Sequence, residues 1–369
     1  MAIKIKELPI GNLKVKLPII QGGMGVGISL SSLAAAVANE GGVGVIATAG
    51  IGMQEPDFFS NFALSNMRAL GQQIRKAREM TQGILGVNIM VALSNFADMV
   101  RTAIEEKIDI IFSGAGLPLD LPAFLKGSKH QPKLVPIVSS GKAARIIAQK
   151  WQSDYGYTPD AFVVEGPKAG GHLGFKPEEI DNPDYALERL VDKVIEEARK
   201  IEKKSGKEIS VIAAGGIYTG EDMYDIMQRG AAGVQMATRF VPTDECDASS
   251  AFKQSYVDAR EKDIRIIKSP VGLPGRAIVN SFLTDVAAGK KKPYKCPYHC
   301  IRTCEAKESP YCIALALMNA KKGNLKHGFA FAGQNAYRTT GITTVPKLIG
   351  ALKAEYASAQ IKSKKSRIT

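Results

Sequence analysis

Eight short runs of apolar, mostly β-branched residues recur through the first two thirds of this chain, at 18–21, 43–47, 85–89, 108–112, 133–138, 161–165, 210–213 and 233–236. Amphipathic stretches separate them, at 30–40, 65–81, 95–106, 119–126, 143–152, 186–205 and 220–229. A strand that is apolar at nearly every position is buried on both faces, as parallel strands covered by helices are. Strict strand–helix alternation leaves two α/β architectures, a doubly wound sheet or a closed barrel. Eight units select the (β/α)₈ TIM barrel.

The special residues fall where a barrel would use them. Gly22 to Gly25, Asn88, Ser113-Gly114, Ser139 to Gly141, Glu165-Gly166 and Gly215-Gly216 all follow a strand directly. In a barrel these positions share the C-terminal rim, where active sites form. Ahead of the first strand, residues 1–17 alternate apolar residues with lysine and read as a small antiparallel hairpin. Residues 18–240 form the barrel. Residues 241–369 change character, with a Gly/Pro-rich loop, clustered cysteines and two or three helices, and read as an extension packed on the barrel.

The chain carries a net charge of +13. Much of the lysine lies in 289–295 and 362–367, and no helix-turn-helix, RRM or finger pattern accompanies it, so nucleic acid is not an expected partner. A basic surface also attracts anionic small molecules and acyl carriers. No signal sequence and no membrane-length apolar run is present, so a soluble cytoplasmic protein is expected.

Two segments point to a phosphate. Ala213 to Ile217 and Gly233 to Arg239 end the seventh and eighth strands, where barrel phosphate sites form. Gly215 and Gly216 let backbone N–H groups approach an anion, and Thr238 adds a hydroxyl beside Gln235, Met236 and Ala237. A third segment, Glu165 to Gly174, runs from a strand into a glycine-rich loop holding Gly170, Gly171 and His172. This histidine can exchange a proton near neutral pH. The Gly22-Gly23-Met24 turn can pass under a flat ring system, and the Asn88 amide can donate and accept toward it. The site suits FMN rather than FAD, because no Rossmann glycine fingerprint is present to take an adenosine half.

Together these segments resemble the nitronate monooxygenase family, which shares its fold with FMN-dependent enoyl-acyl carrier protein reductases. The resemblance is carried by Ile20 to Gly25, Gly86 to Asn88, Ala169 to His172, Ala213 to Ile217 and Gly233 to Phe240. Gly275 to Asn280 and the C-terminal Phe331 to Asn335 extend it. It implies that Met24, Asn88 and Glu165 contact the flavin. Gly170, Gly215 and Gln235 to Thr238 would hold its phosphate, with His172 the acid or base over the substrate. Lys168 stands where an acidic residue is common, and Ala237 where glycine is common.

Four of the five cysteines, Cys296, Cys300, Cys304 and Cys312, crowd into one segment outside that family pattern. Their number matches a 4Fe–4S cluster or a four-cysteine zinc site, and their spacing suits one face of a helix. Lysines 290–292 and 295 are expected to lower the thiol pKa values.

The leading expectation is therefore FMN-dependent oxidation of alkyl nitronates by dioxygen. The runner-up is an NAD(P)H-dependent enoyl-thioester reductase, and a third reading is a non-catalytic flavin sensor. The partner is a small-molecule or acyl-thioester substrate, and a homodimer is compatible with the sequence. A nucleotide barrel of the IMP dehydrogenase type would need a barrel-top cysteine, and none precedes Cys246.

Overall fold

The computed structural model describes residues 5–291, 296 and 298–366. The first four residues, Lys292 and Lys295 lie outside them, so the expectations made for those lysines do too.

Strands β1 (Leu8–Ile10) and β2 (Leu13–Val15) form the expected antiparallel hairpin, turning at Gly11 with φ +57°. The chain then alternates through β3 (Ile19–Gln21), α1 (Ser31–Asn39), β4 (Gly44–Ala47), α2 (Phe62–Met80), β5 (Leu85–Met90), α3 (Phe96–Glu105) and β6 (Ile110–Gly114). It continues through β7 (Lys133–Val138), α4 (Gly141–Tyr155), β8 (Ala161–Glu165), a two-residue strand β9 (Gly171–His172), α5 (Leu187–Ser205), β10 (Ser210–Ala214), α6 (Gly220–Gln228) and β11 (Gly233–Met236). Excluding β9, the strands from β3 to β11 form one eight-stranded parallel sheet.

The barrel closes between β3 and β4 through the parallel bridge Ile20↔Val43. Gln21 completes the seam: its Oε1 accepts from the Val45 N–H at 3.0 Å, and its Nε2 donates to the Gly22 carbonyl. Alternate strand residues face inward, so Ile20, Val45, Phe112, Val135, Val163 and Ile212 fill the lumen. Leu8, Ile10 and Val15 of the hairpin join that cluster, so the hairpin plugs the N-terminal end. The opposite strand faces pack under the helices, where Trp151 is fully buried and donates to the Pro118 carbonyl at 2.8 Å.

One expected helix, 119–126, is instead a 3₁₀ turn over Leu121–Leu125. It is too short to repay nucleation of an α-helix, and Gly127, with φ +77°, turns the chain away. Ordinary capping sets other ends. Ser140 accepts from the Ala143 N–H ahead of α4, and Gly156 closes that helix in the left-handed region.

Beyond β11 come α7 (Ser250–Val257), β12 (Ile264–Lys268), β13 (Pro274–Ile278), α8 (Ser281–Ala287), α9 (Ile313–Lys321) and α10 (Val345–Ser366). The last helix packs against α6 and α1 and occupies the place of the helix after the eighth strand. The end of the chain thus completes the barrel's outer ring. A third apolar cluster, built on Phe282, Tyr311, Ile313 and Phe329, holds the rest of the extension together.

Candidate active site

A cavity of about 600 Å³ opens at the C-terminal rim. All the residues expected at a flavin site line it: Gly22, Gly23, Met24, Asn88, Glu165, Gly170, Gly171, His172, Gly215, Gly216 and Gln235 to Thr238; of the other rim residues, Ser113, Gly141 and Gly166 do not.

At the end between β10 and β11, Gly215 and Gly216 have φ +93° and +91°, a region that L side chains avoid. A Cβ on Gly215 would meet the Gly166 carbonyl oxygen at 2.8 Å. The Thr238 hydroxyl accepts from the Gly333 N–H at 3.2 Å, leaving its own hydrogen to donate. Asn335 clamps the same turn by donating Nδ2–H to the Gly216 carbonyl. Ala237 takes φ −120°, which any residue adopts, so the loop has no backbone need for the usual glycine. Lys168 lines the cavity here, and its carbonyl accepts from the Gln334 N–H at 3.1 Å.

The 166–171 loop is pressed against the extension. A Cβ on Gly170 would lie 2.5 Å from both the Ala332 carbonyl carbon and the Gly333 nitrogen. The buried Arg276 guanidinium donates to the carbonyls of Pro167 and Ala169, the latter at 2.8 Å. Next to this clamp, β9 pairs antiparallel with β13, which also pairs with β12, so His172 lies opposite Gly275 in a three-stranded sheet. The barrel loop supplies the histidine, and the extension fixes its place.

His172 Nε2 lies 2.7 Å from Ser269 Oγ, and its ring meets Phe331 edge to face at 4.9 Å between centroids. Burial pushes its pKa down to about 4, so the ring is neutral at pH 7. Burial pushes Glu165 the other way, up to about 7. Its carboxyl is open to the cavity and has no hydrogen bond or ion pair to another described residue. The Asn88 side-chain amide is likewise free to meet a ligand, while its backbone carbonyl accepts from Thr48.

The cysteine segment forms part of the cavity's outer wall, a role for which the sequence held no signal. Ile301 bridges to Leu93, the Ser94 N–H donates to the Cys300 carbonyl at 3.1 Å, and the Tyr298 ring packs 5.1 Å from Phe58. Cys300 and Cys312 line the cavity itself. The expected helix is absent: residues 298–304 are irregular, with His299 at φ +47°. The thiol expectation is also corrected. Burial, then the thiolates of Cys312, Cys296 and Cys304, push Cys300 up to about 12, and burial raises Cys304 as well. Burial and like charges set the proton affinity of these two thiols.

The expected metal ligation by Cys296, Cys300, Cys304 and Cys312 is not assembled: among the described residues, no group of three or more His, Cys, Asp or Glu side chains is placed to hold a metal ion. The four are free thiols close enough to repel one another's charge. No helix among the described residues is long and apolar enough to cross a membrane.

The nitronate monooxygenase family matches residues 6–112 and 95–355. The chain belongs to that family. It is accordingly an oxidoreductase of the flavin type, and its barrel is the family's fold. A probable nitronate monooxygenase of Staphylococcus saprophyticus is 26% identical, with 76% of this chain and 81% of that protein covered. The (3aS,4S,5R,7aS)-5-hydroxy-7a-methyl-1-oxo-octahydro-1H-indene-4-carboxyl-CoA dehydrogenase of Mycobacterium tuberculosis is 27% identical, covering 75% of this chain and 67% of the relative. The solved structure of FabK from Thermotoga maritima superposes with a TM-score of 0.73 at 29% identity, covering 95% of this chain and 96% of that one.

Ser269, Phe331, Arg276 and Tyr298 shape the site from the extension. Phe331 and Arg276 fall inside segments whose resemblance to the family was legible, whereas Ser269 and Tyr298 carry no sequence pattern of their own.

Proposed function

We propose that the chain binds FMN and uses it to oxidise alkyl nitronates, with dioxygen as the final electron acceptor. The observation that carries this reading is the shared cavity: a turn of positive-φ glycines at 215–216, His172 and Glu165 all line it. FMN would supply a two-electron acceptor that dioxygen can reoxidise. Gly215, Gly216 and Thr238 would hold its phosphate through backbone N–H groups and a hydroxyl. Asn88 would donate and accept at the ring edge, and Met24 would pack on it. The neutral His172 would hold the substrate oxygen, and Glu165 would keep or release a proton at the flavin.

A second reading, reduction of an enoyl thioester with NAD(P)H as donor, is favoured by two observations. The cavity's outer wall is apolar, with Phe58, Phe62 and Leu317, which suits an acyl chain. The mycobacterial relative is named for a carboxyl-CoA compound. Anaerobic flavin bleaching separates the two: propyl nitronate alone should bleach the oxidase, and NADPH alone should bleach the reductase.

We propose further that Cys296, Cys300, Cys304 and Cys312 hold one 4Fe–4S cluster. Their mutual proximity and the place of Cys300 and Cys312 in the cavity wall support this. The four thiolates would be its ligands, the number that a 4Fe–4S cluster takes. A cluster there would supply one-electron transfer beside the flavin.

A further inference from the structure

We propose that Ser269 is the positioning residue of His172: its hydroxyl donates to Nε2 and holds the ring in the tautomer that carries its hydrogen on Nδ1. The ring then offers substrate a hydrogen-bond donor rather than a base. This rests on the reading of His172 as the substrate-facing residue.

The geometry leaves the pair little freedom. Ser269 is 3% exposed and begins the turn between β12 and β13. Its N–H donates to the Leu273 carbonyl at 3.2 Å, and its own carbonyl accepts from the Gly272 N–H at 3.1 Å. Gly272 takes φ +82°, which lets this tight turn close. The Val271 N–H approaches Ser269 Oγ at 3.4 Å, on its accepting side. The hydroxyl hydrogen is thereby left for His172 Nε2, 2.7 Å away. On the histidine side, the backbone is zipped to Gly275 and the ring plane is set by Phe331.

His172 thus lies in one small sheet and Ser269 directly follows its strand β12, so the bond between them is held by the pairing of β9 and β12 with β13. An imidazole whose Nε2 accepts must carry its hydrogen on Nδ1 when neutral. Burial keeps the ring neutral at pH 7, which removes the doubly protonated form. With Nε2 occupied, only the Nδ1–H remains for a ligand. A nitronate oxygen and a thioester carbonyl both accept such a donor, so the same device serves either substrate.

The test is ¹⁵N NMR of imidazole-labelled, FMN-loaded protein, with the His172 signal assigned by its loss in His172→Phe. The wild type should show a protonated Nδ1 and an unprotonated Nε2. Ser269→Ala should shift the signals toward the opposite tautomer, and Ser269→Thr should restore them. Turnover in Ser269→Ala should fall about five- to tenfold in kcat with flavin affinity unchanged, as loss of one neutral hydrogen bond predicts. A wild-type ring protonated on Nε2, or tautomer signals unmoved in Ser269→Ala, overturns the proposal. The NMR result needs no turnover, so it stands apart from failure of the substrate assignment.

Discussion

Glu165 and His172 face one cavity from the two ends of the 166–171 loop, and burial moves their proton affinities in opposite directions. The carboxyl holds its proton up to about pH 7, and the imidazole stays unprotonated down to about pH 4. Between those limits both groups are neutral in the empty pocket. An anionic substrate therefore meets no fixed negative charge from Glu165, and no cation from His172 that would have to be desolvated.

That inversion predicts a pH-dependent stability difference in the flavin-free protein. The folded-state pKa of Glu165 is raised, so the stability it contributes is fully present below the ordinary glutamate value of 4.5 and is lost as pH rises through about 7. Glu165→Gln should match the wild type near pH 4.5 and exceed it at pH 9. The gap should reach about 3 kcal/mol, from roughly 1.4 kcal/mol per pKa unit. Urea unfolding at the two pH values measures it. Equal stabilities at pH 9 would show that the carboxylate is solvated or paired. His172 has the opposite sign, with its contribution present above 6.5 and lost as pH falls through about 4.

His172→Phe should leave FMN bound and remove most turnover, because the role proposed for the histidine is at the substrate and not at the flavin phosphate. Loss of one aimed donor costs about 10²–10³-fold in kcat. Stopped-flow reduction by the active substrate checks this, with flavin occupancy read from absorbance. Wild-type rates at full occupancy would remove His172 from the reaction.

Gly170→Ala tests the latch between barrel loop and extension. The added methyl would sit 2.5 Å from Ala332 and Gly333 backbone atoms, which are held by hydrogen bonds from their N–H groups to the Arg276 carbonyl and the Thr238 hydroxyl. A stability loss of about 1–3 kcal/mol and weaker FMN binding are expected. Gly341→Ala, with nothing within 4 Å of its Cβ, is the control. Thermal melts and flavin fluorescence titration give both quantities. An unchanged FMN affinity in Gly170→Ala would mean that the latch does not shape the cofactor site.

Much of this arrangement was legible in the residues. Doubly buried strands such as Ile110–Gly114 and Ala161–Glu165 are apolar until their last one or two residues, so their period and number expose the barrel. Gly215 and Gly216 showed themselves because only glycine tolerates their backbone angles. What stayed hidden depends on contacts between distant segments. Ser269 looks like any loop serine until β13 brings it to His172, and Tyr298 gains meaning only against Phe58. The eighth helix of the ring is hidden for a related reason: α10 begins more than a hundred residues after β11 ends, and no local pattern tells it to pack beside α6. The three-residue spacing of Cys296, Cys300 and Cys304 suggested a helix, but side-chain spacing alone cannot supply one where the backbone turns to positive φ at His299.

The proposed cluster at Cys296, Cys300, Cys304 and Cys312 is open to direct metal analysis. Anaerobically prepared protein should contain about four iron and four acid-labile sulfide atoms per chain, as one four-iron cluster requires. Cys300→Ser should lose most of that iron, since Cys300 is the thiol influenced by all three others. It should keep FMN, because Gly215, Gly216 and Asn88, proposed to hold the flavin, belong to the barrel. Cys246→Ser is the internal control: this thiol is buried at 4% exposure, and its Sγ–H donates to the Ile28 carbonyl far along the chain from the cysteine segment. It should retain both iron and flavin. Stoichiometric zinc without sulfide would instead assign the four thiols to a single structural ion. Iron retained in Cys300→Ser, or absent from the wild type after anaerobic reconstitution, would leave these residues as a thiol-lined wall of the cavity and nothing more.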